Sequence, residues 1–326
     1  MADLFRRFRP LRATQELRDH HADVSLGVED LILPLFVVEG QGIEEPIPTL
    51  KGVSHLSLDR LVEAAKVARD AGVTKVLLFG VPENSHKHPL AQAAVKDDAL
   101  VSRAVAELKN RLSGLTVMTD VCVCAYTDHG HCGILRGQTV DNDATLPVLA
   151  AMAASHARAG ADYVAPSAMM DGQVLAIRER LIQEHLHAKI MGYSAKYASK
   201  LYGPFRDAAG SAPSHGDRKS YQMDYRTRLQ GVEEVRADLE EGADAVMVKP
   251  ATFYLDMIER VKTAFPEAPL AAYHTSGEYM MVVHGASQGL FDYEEGLMEN
   301  LFAIRRAGAD WLITYGAVEA ARWLNR

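Results

Sequence analysis

The sequence predicts a (β/α)8 barrel, and two repeating features of the chain support that fold class. The first is a turn in which a helix ends at a small residue and glycine and a short apolar strand follows, at 71–73, 159–162, 241–244 and 307–310. Glycine suits this position because it adopts left-handed backbone without steric cost. The second is a set of eight continuous apolar runs, beginning near residues 31, 75, 115, 163, 189, 245, 270 and 311. Such runs are typical of parallel strands covered on both faces.

Segments with helical periodicity separate the apolar runs. Apolar residues recur at three-to-four spacing in 58–72, 97–112, 144–160 and 294–308, which predicts helices with one buried face. Ser57, Asp141 and Asn142 are residue types that cap helix N-termini, and they precede two of these segments. Eight strand–helix units favour a closed barrel over an open doubly wound sheet, and no GxGxxG motif opens the first turn.

The chain divides into an arm and one barrel domain. We interpret residues 1–30, which begin with an arginine-rich segment, as an N-terminal arm that makes oligomer contacts; a disordered tail is the alternative. Residues 31–326 form the catalytic barrel in this interpretation. The stretch at about 197–222 contains glycine, proline and serine before the next helix, and long loops of this kind are usually lids over a binding site.

Composition excludes several classes of function. The 326-residue chain has a formal net charge of -8 and a pI near 5.9, so it lacks the basic field that nucleic-acid binding needs. It contains no apolar run of 18 residues or more, and we therefore expect no membrane span. Its three cysteines are too few for a disulfide framework, which indicates a reducing cytoplasm.

Polar side chains follow most of the predicted strands. In a (β/α)8 barrel the active site lies at the carboxyl ends of the strands, and the residues found there are Asp120, Ser167, Lys196, Lys249, Ser276 and Tyr315. Two lysines at neighbouring strand ends would lower each other's pKa, and burial acts in the same direction. A neutral amine attacks a ketone, so we predict Lys249 as a Schiff-base lysine with Lys196 beside it. A salt-bridged or snorkelling lysine is the alternative for each.

The segment DVCVCAYTDHGHCG places Cys122, Cys124 and Cys132 on one loop. Three soft thiolates in a chain without other cysteines indicate zinc, and three protein ligands leave an open position, as catalytic zinc sites do. A closed Cys3His structural site that uses His129 or His131 is the alternative. In the predicted lid, Arg206, Arg218 and Gln222 suit recognition of a carboxylate, whereas a solvated basic face is the alternative for any single arginine.

Six motifs occur in order along the chain: DVCVCAYTDHGHCG, VAPSAMMDGQV, YSAKYASKLYGPFRDAAGSA, GDRKSYQM, ADAVMVKPATFYLD and SGEY. Together they resemble the zinc-dependent branch of the porphobilinogen synthase family, also called the 5-aminolaevulinate dehydratases. The resemblance implies a barrel with an arm that embraces a neighbouring subunit, assembly as a homo-octamer, and condensation of two 5-aminolaevulinate molecules to porphobilinogen in tetrapyrrole biosynthesis.

The resemblance also implies a role for each matching residue. Lys249 matches the lysine that binds the first substrate as a Schiff base, and Lys196 its partner, either a second Schiff base or an acid–base group. Ser276 and Tyr315 match residues that hold the first substrate's carboxylate. The remaining matches are lid residues for the second carboxylate (Arg206, Arg218, Gln222), polar pocket residues (Asp120, Ser167), the zinc ligands (Cys122, Cys124, Cys132) and Glu234, which aligns with a glutamate that binds an allosteric Mg²⁺. A solvent-facing helix glutamate is the alternative for Glu234.

One departure and two rival functions accompany this interpretation. Tyr315 is followed by Gly316 and Ala317, where the family more often has an aromatic residue, and this difference affects the pocket wall. A class I aldolase acting on a phosphorylated sugar is the rival enzyme, although ITYGAVEA offers no obvious phosphate site. A non-catalytic metal-binding or scaffolding protein is the rival from another class, but it would be expected to have lost a lysine or a cysteine.

Overall fold

Eight parallel strands close into a barrel in the computed structural model, which describes residues 5–326. Each strand pairs with the next along the chain, and the last pairs with the first through Leu31 opposite Leu312 and Ile32 opposite Ile313. The predicted fold class and all eight predicted strands are therefore confirmed. The barrel strands are β1 (Leu31–Val38), β4 (Lys75–Val81), β5 (Thr116–Val121), β8 (Tyr163–Pro166), β9 (Lys189–Lys196), β10 (Ala245–Lys249), β11 (Leu270–Tyr273) and β12 (Trp311–Ile313).

Two short strand pairs lie outside the ring of eight barrel strands. One joins β1 through a parallel contact, and the other is an antiparallel hairpin next to the loop that follows β5. These strands are β2 (Glu44–Pro46), β3 (Ser54–Leu56), β6 (Leu135–Arg136) and β7 (Thr139–Val140).

Helices surround the barrel, and each of them except the short helix Gln15–His20 has buried residues. On the helix that spans Leu58–Asp70, the buried residues are Leu61, Val62, Ala65 and Ala68, the spacing expected of a single apolar stripe. All four predicted helical segments are confirmed. The helices are α1 (Gln15–His20), α2 (Leu58–Asp70), α3 (Leu100–Arg111), α4 (Asn142–Arg158), α5 (Gln173–Gln183), α6 (Gly203–Ala208), α7 (Gln230–Glu240), α8 (Leu255–Ala264), α9 (Ser276–Ser287), α10 (Tyr293–Arg306) and α11 (Ala317–Leu324).

The predicted turn and cap residues have different outcomes. The four glycines of the repeated helix–strand turn have φ between 99° and 113°, a backbone conformation that glycine alone adopts freely. Asp141 caps α4 by accepting a hydrogen bond from Ala144 N at 3.1 Å. The prediction for Asn142 is wrong, because it is already the first helical residue. Ser57 precedes α2, but its hydroxyl donates to Asp59 Oδ1 instead of capping the helix.

The segment between β9 and α7 contains a short 3-10 helix at Lys200–Tyr202 and then α6. Farther along, its residues 211–221 contact the loop that follows β5, as described below. At the other end of the chain, residues 5–23 leave Phe5, Phe8 and Leu11 at 62, 52 and 43% exposure. Residues 1–4 of the predicted arm lie outside the described residues. Within residues 5–326, no helix has both the length and the apolar character that a membrane crossing requires.

Candidate active site

Lys196 and Lys249 end two adjacent strands and lie opposite each other in the sheet register. Both are buried, at 5 and 4% exposure. Between Val246 and Val248 the register shifts by one residue relative to β9, and a shift of this kind changes the direction in which strand side chains point. The structure therefore brings the two predicted lysines to the same mouth of the barrel.

The amine of Lys249 lies among aromatic rings. Its Nζ is 4.1 Å from the ring centre of Tyr273 and 5.0 to 5.3 Å from those of Tyr193, Phe205 and Tyr202. Burial, together with the positive charge of Lys196, lowers the pKa of Lys249 to about 7. The rings act in the opposite sense, because an aromatic face attracts a cation. At neutral pH this amine is available as a nucleophile.

Lys196 has a more polar environment than Lys249. Its Nζ donates a hydrogen bond to the carbonyl oxygen of Ser167, so the predicted pocket residue Ser167 contacts a predicted catalytic residue. Asp120, which lies in β5, two strands away from the strand of Lys196, has one carboxylate oxygen buried without a hydrogen-bond partner. Burial raises the pKa of Asp120, while its hydrogen bond with Ser167 and the charges of both lysines oppose that rise. A buried, unpartnered oxygen at the mouth is suited to bind a substrate ammonium group or to transfer a proton.

The three cysteines lie in the loop that follows β5, and we call residues 122–132 the cysteine loop. The sulfur atoms of Cys122, Cys124 and Cys132 lie within 4.8 Å of one another, and all three side chains are buried. Hydrogen bonds from Cys122 and Cys124 lower the pKa of Cys132 well below the usual thiol range, and the positive charge of Arg218 acts in the same direction. Close, buried sulfurs with one thiolate favoured fit a soft divalent metal ion.

The two histidines beside the cysteines differ in their partners, because His129 Nε2 is buried without a hydrogen-bond partner whereas both ring nitrogens of His131 are engaged. His131 donates from Nε2 to the carbonyl oxygen of His215 at 3.0 Å, and its Nδ1 accepts from the hydroxyl of Tyr221 at 3.2 Å. Both ring nitrogens of His131 are therefore engaged. His129 accepts a hydrogen bond from the backbone of His131 at Nδ1. The donor set that the described residues bring together consists of the three cysteines alone, which favours the open three-cysteine arrangement over the Cys3His alternative.

The segment 211–221 rests on the cysteine loop through several hydrogen bonds. Tyr221 accepts from Cys132 N at 3.4 Å, and Ser214 N donates to His129 O at 2.9 Å. Gly130 packs so closely on the same segment that an added Cβ would lie 2.3 Å from Ala212 O. The predicted lid and the candidate metal site therefore share one surface.

The three predicted lid residues differ in how they are engaged. Arg218 is buried and donates from one terminal nitrogen to Gly130 O and Ser211 O, at 2.9 and 2.5 Å. Gln222 has both amide atoms buried without a partner, and Arg206 has a buried, unpartnered Nε. Arg206 and Gln222 therefore retain free polar atoms, whereas part of the Arg218 guanidinium already joins the predicted lid to the cysteine loop.

Ser276 and Tyr315, which are predicted to hold the first substrate's carboxylate, follow β11 and β12. These strands lie on the side of β10 away from β9, the strand of Lys196. Ser276 Oγ accepts from Phe205 N at 3.0 Å and donates to Leu201 O at 3.3 Å, so two residues at the start of the predicted lid, which we call the lid base, occupy this hydroxyl. Tyr315 and Tyr273 share a hydrogen bond between their hydroxyls at 3.2 Å. Ser276 and Tyr315 follow neighbouring strands, and both lie next to the aromatic surroundings of Lys249.

Glu234 lies on α7. It lines a surface cavity of about 500 Å³ that also contains Asp171, Asn142 and Gln222. Its carboxylate accepts a hydrogen bond from Gln230 Nε2 at 3.1 Å, and burial raises its pKa.

Sequence reasoning missed the residues that shape the lysine environment. The aromatic side chains occur three residues before Lys196 and three before Ser276, and twice in YGPF of the lid. Only the strand-end rule could have singled out Tyr193 and Tyr273, because each lies near the carboxyl end of its strand, three residues before a predicted site residue. No sequence signal marks Tyr221 as a contact of the cysteine loop.

Comparison with known proteins identifies the family. The sequence profile described as Delta-aminolevulinic acid dehydratase matches residues 5–323. The dehydratase of Halalkalibacterium halodurans is 44% identical over 98% of this chain and 97% of its own, and that of Synechocystis is 46% identical over 97 and 98%. A crystal structure of the Toxoplasma gondii enzyme with its reaction product porphobilinogen has a TM-score of 0.96 at 38% identity, covering 99% of this chain and 92% of that one. The chain belongs to the delta-aminolevulinic acid dehydratase family.

Proposed function

We propose that this protein is a porphobilinogen synthase, a lyase that condenses two molecules of 5-aminolaevulinate to porphobilinogen and releases two waters. Family membership over nearly the whole chain supports this reaction. The observation that carries it is the pair of buried lysines, Lys196 and Lys249, in register on adjacent strand ends. Because the chain belongs to this family, we discard the class I aldolase and the non-catalytic scaffold as alternatives.

Lys249 is the proposed nucleophile toward the first substrate. Its neutral amine adds to the ketone carbon, and loss of water gives an imine. The protonated imine makes its own carbon more electrophilic and the adjacent C–H more acidic. Ser276 and Tyr315 are placed to hold the carboxylate of this substrate once the lid base releases the Ser276 hydroxyl. Holding both ends of one molecule lowers the entropic barrier to the later steps.

The second substrate is proposed to lie between Lys196 and the lid. The free polar atoms of Arg206 and Gln222 suit its carboxylate, with Arg218 holding the lid in place and extending its remaining donors. Asp120 is placed to receive a proton or to hold an ammonium group, and Ser167 orients Lys196. A carbon–carbon and a carbon–nitrogen bond form between the substrates, the second water leaves, Lys249 is released, and proton removal gives the aromatic pyrrole.

Cys122, Cys124 and Cys132 are proposed to hold Zn²⁺, since their mutual proximity and burial fit a thiolate site. When bound, zinc supplies a Lewis acid with an open position, able to polarise a carbonyl or hydroxyl oxygen. Glu234 is proposed as a ligand of an allosteric Mg²⁺, and the support is its half-buried carboxylate facing a polar cavity with Asp171.

The arm, the oligomer and the compartment remain proposals as well. Exposed Phe5, Phe8 and Leu11 support the proposal that residues 1–30 pack on a neighbouring subunit, within a homo-octamer. The contacts of 211–221 with the cysteine loop support the proposal that about 197–222 is an active-site lid. Three free cysteines are consistent with the proposed cytoplasmic location.

The test is pyrrole formation from 5-aminolaevulinate by the purified, thiol-reduced, zinc-loaded protein, followed with an aldehyde reagent. We expect product that disappears on chelation and returns with Zn²⁺. Lys249→Met should abolish it, whereas Lys189→Met, at the exposed opposite end of β9, should retain it. A folded, zinc-loaded protein that forms no pyrrole would refute the proposal.

A further inference from the structure

The carboxylate of Glu278 connects two strand-end loops of the active site. Glu278 lies in the first turn of α9 and is 2% exposed. Its Oε2 accepts from the backbone N–H and the hydroxyl of Thr275, at 2.7 and 2.8 Å. The same carboxylate also reaches the loop after β10, where Oε1 accepts from Thr252 N at 2.6 Å and Oε2 from Ala251 N at 3.3 Å. One buried side chain therefore joins the residues that follow β10 to those that follow β11.

The two joined loops carry the two proposed anchors of the first substrate. Ala251 lies two residues after Lys249, and Thr275 directly precedes Ser276. In 5-aminolaevulinate, two methylene groups separate the ketone carbon from the carboxylate carbon. The substrate can therefore form its imine and hold its carboxylate together only if the two loops keep a fixed separation. Small displacements are costly, because a misplacement of about 1 Å can reduce a rate by about 10²-fold.

Helix capping alone does not account for these contacts. The hydrogen bonds from Thr275 complete the first turn of α9, as a glutamate at this position commonly does. The bonds from Ala251 and Thr252 contribute nothing to α9, since they belong to a different loop. All four partners are donors, which suits an ionised carboxylate with acceptor positions on both oxygens.

We infer that Glu278 is a positioning residue: its carboxylate sets the separation between Lys249 and Ser276, and so favours ketones that also carry a suitably spaced carboxylate. This inference rests on the proposed function and deepens it. Glu278 does not itself contact the substrate; it acts through the two loops.

Two variants of Glu278 separate the bridge from the cap. Glu278→Asp keeps a negative charge in the first turn of α9 but is one methylene too short to reach Thr252. Glu278→Gln keeps the length and replaces one acceptor oxygen with a donor that faces backbone N–H groups. Thr275→Val is the matched control, because it removes the hydroxyl bond to Glu278 and leaves the bridge to Ala251 and Thr252 intact.

The readout is the rate at which borohydride traps the imine on Lys249, measured by intact mass with two ketones. Levulinate carries the carboxylate at the substrate's spacing, and 2-pentanone has a methyl group in its place. We expect both Glu278 variants to slow trapping of levulinate at least tenfold and to leave trapping of 2-pentanone within about twofold of the unmodified protein. Thr275→Val should keep the original ratio of the two rates.

Each outcome bears on a definite claim. Equal slowing with both ketones would overturn the inference, since Glu278 would then support Lys249 or the fold in general. An unchanged ratio in folded Glu278→Asp and Glu278→Gln would also overturn it. Failure of the unmodified protein to form a trapped imine with 5-aminolaevulinate would instead refute the proposed function.

Discussion

The lowered pKa of Lys249 leads to a quantitative prediction about imine formation. At pH 7.5 an amine with a pKa of about 7 is roughly three-quarters neutral, whereas an ordinary lysine is only about 0.1% neutral. The site therefore raises the reactive fraction by a factor of several hundred. The imine-trapping rate should rise with pH and level off above about 7, because deprotonation produces the nucleophile.

The perturbation is Lys196→Met, which removes the positive charge beside Lys249 and keeps a side chain of similar length. Burial is the larger cause of the lowered pKa, and the charge of Lys196 is the second. The midpoint of the trapping profile should therefore move to higher pH in the variant, while staying below the range of an exposed lysine. In the assay, the protein is exposed once to 5-aminolaevulinate and borohydride, and the imine trapped on Lys249 is measured. The signal reports imine formation and does not require the second substrate to react.

Two results would refute this reasoning. A midpoint near 10 in the unmodified protein would show that burial does not lower the pKa of Lys249. A midpoint that moves to lower pH or does not move in Lys196→Met would show that the positive charge of Lys196 does not lower the pKa of Lys249. Lys249→Met serves as the control, since the trapped mass must be lost in that variant at every pH.

Three further predictions concern the lid, its packing and the scaffold. Chelation of the metal should increase hydrogen exchange in 211–221, which rests on the cysteine loop, and leave α10 unchanged; equal exchange in both states would contradict the shared surface. Gly130→Ala should raise KM for 5-aminolaevulinate, because φ is 71° and the new Cβ would meet Ala212 O; an unchanged KM would contradict it. Asp141→Ala should lower the free energy of unfolding in urea by about 1 kcal/mol through loss of the α4 cap, with pyrrole formation retained.

The strands and the repeated turns could be predicted from the sequence because their causes are local. A strand covered on both faces reads as a continuous apolar run, and the glycine at each helix end answers a backbone requirement within a few residues. The positions of Lys196 and Lys249 followed from the same logic, since strand ends of a barrel converge on one mouth.

The rest of the site depends on contacts between segments that are distant in sequence. Phe205 joins the rings around Lys249 only because α6 folds back over the barrel. The engagement of Arg218 with Gly130 and Ser211 depends on how the lid packs, so its residue type alone suggested a freer guanidinium. Ser57 occupies the predicted N-cap position of α2, but its side chain makes no capping hydrogen bond because the hydroxyl donates to Asp59, two residues away.

The contrast between the two lysines suggests why the barrel uses a pair. The surroundings of Lys249 suit both forms that the proposed mechanism needs: burial favours the neutral amine that would attack the ketone, and the ring faces would stabilise the protonated imine that follows. Lys196 instead donates to the carbonyl oxygen of Ser167 and lies near Asp120, in a more polar environment. The positive charge of Lys196 is the second cause of the lowered pKa of Lys249. In the proposed mechanism, the side chain that faces the second substrate therefore also prepares Lys249 for the first.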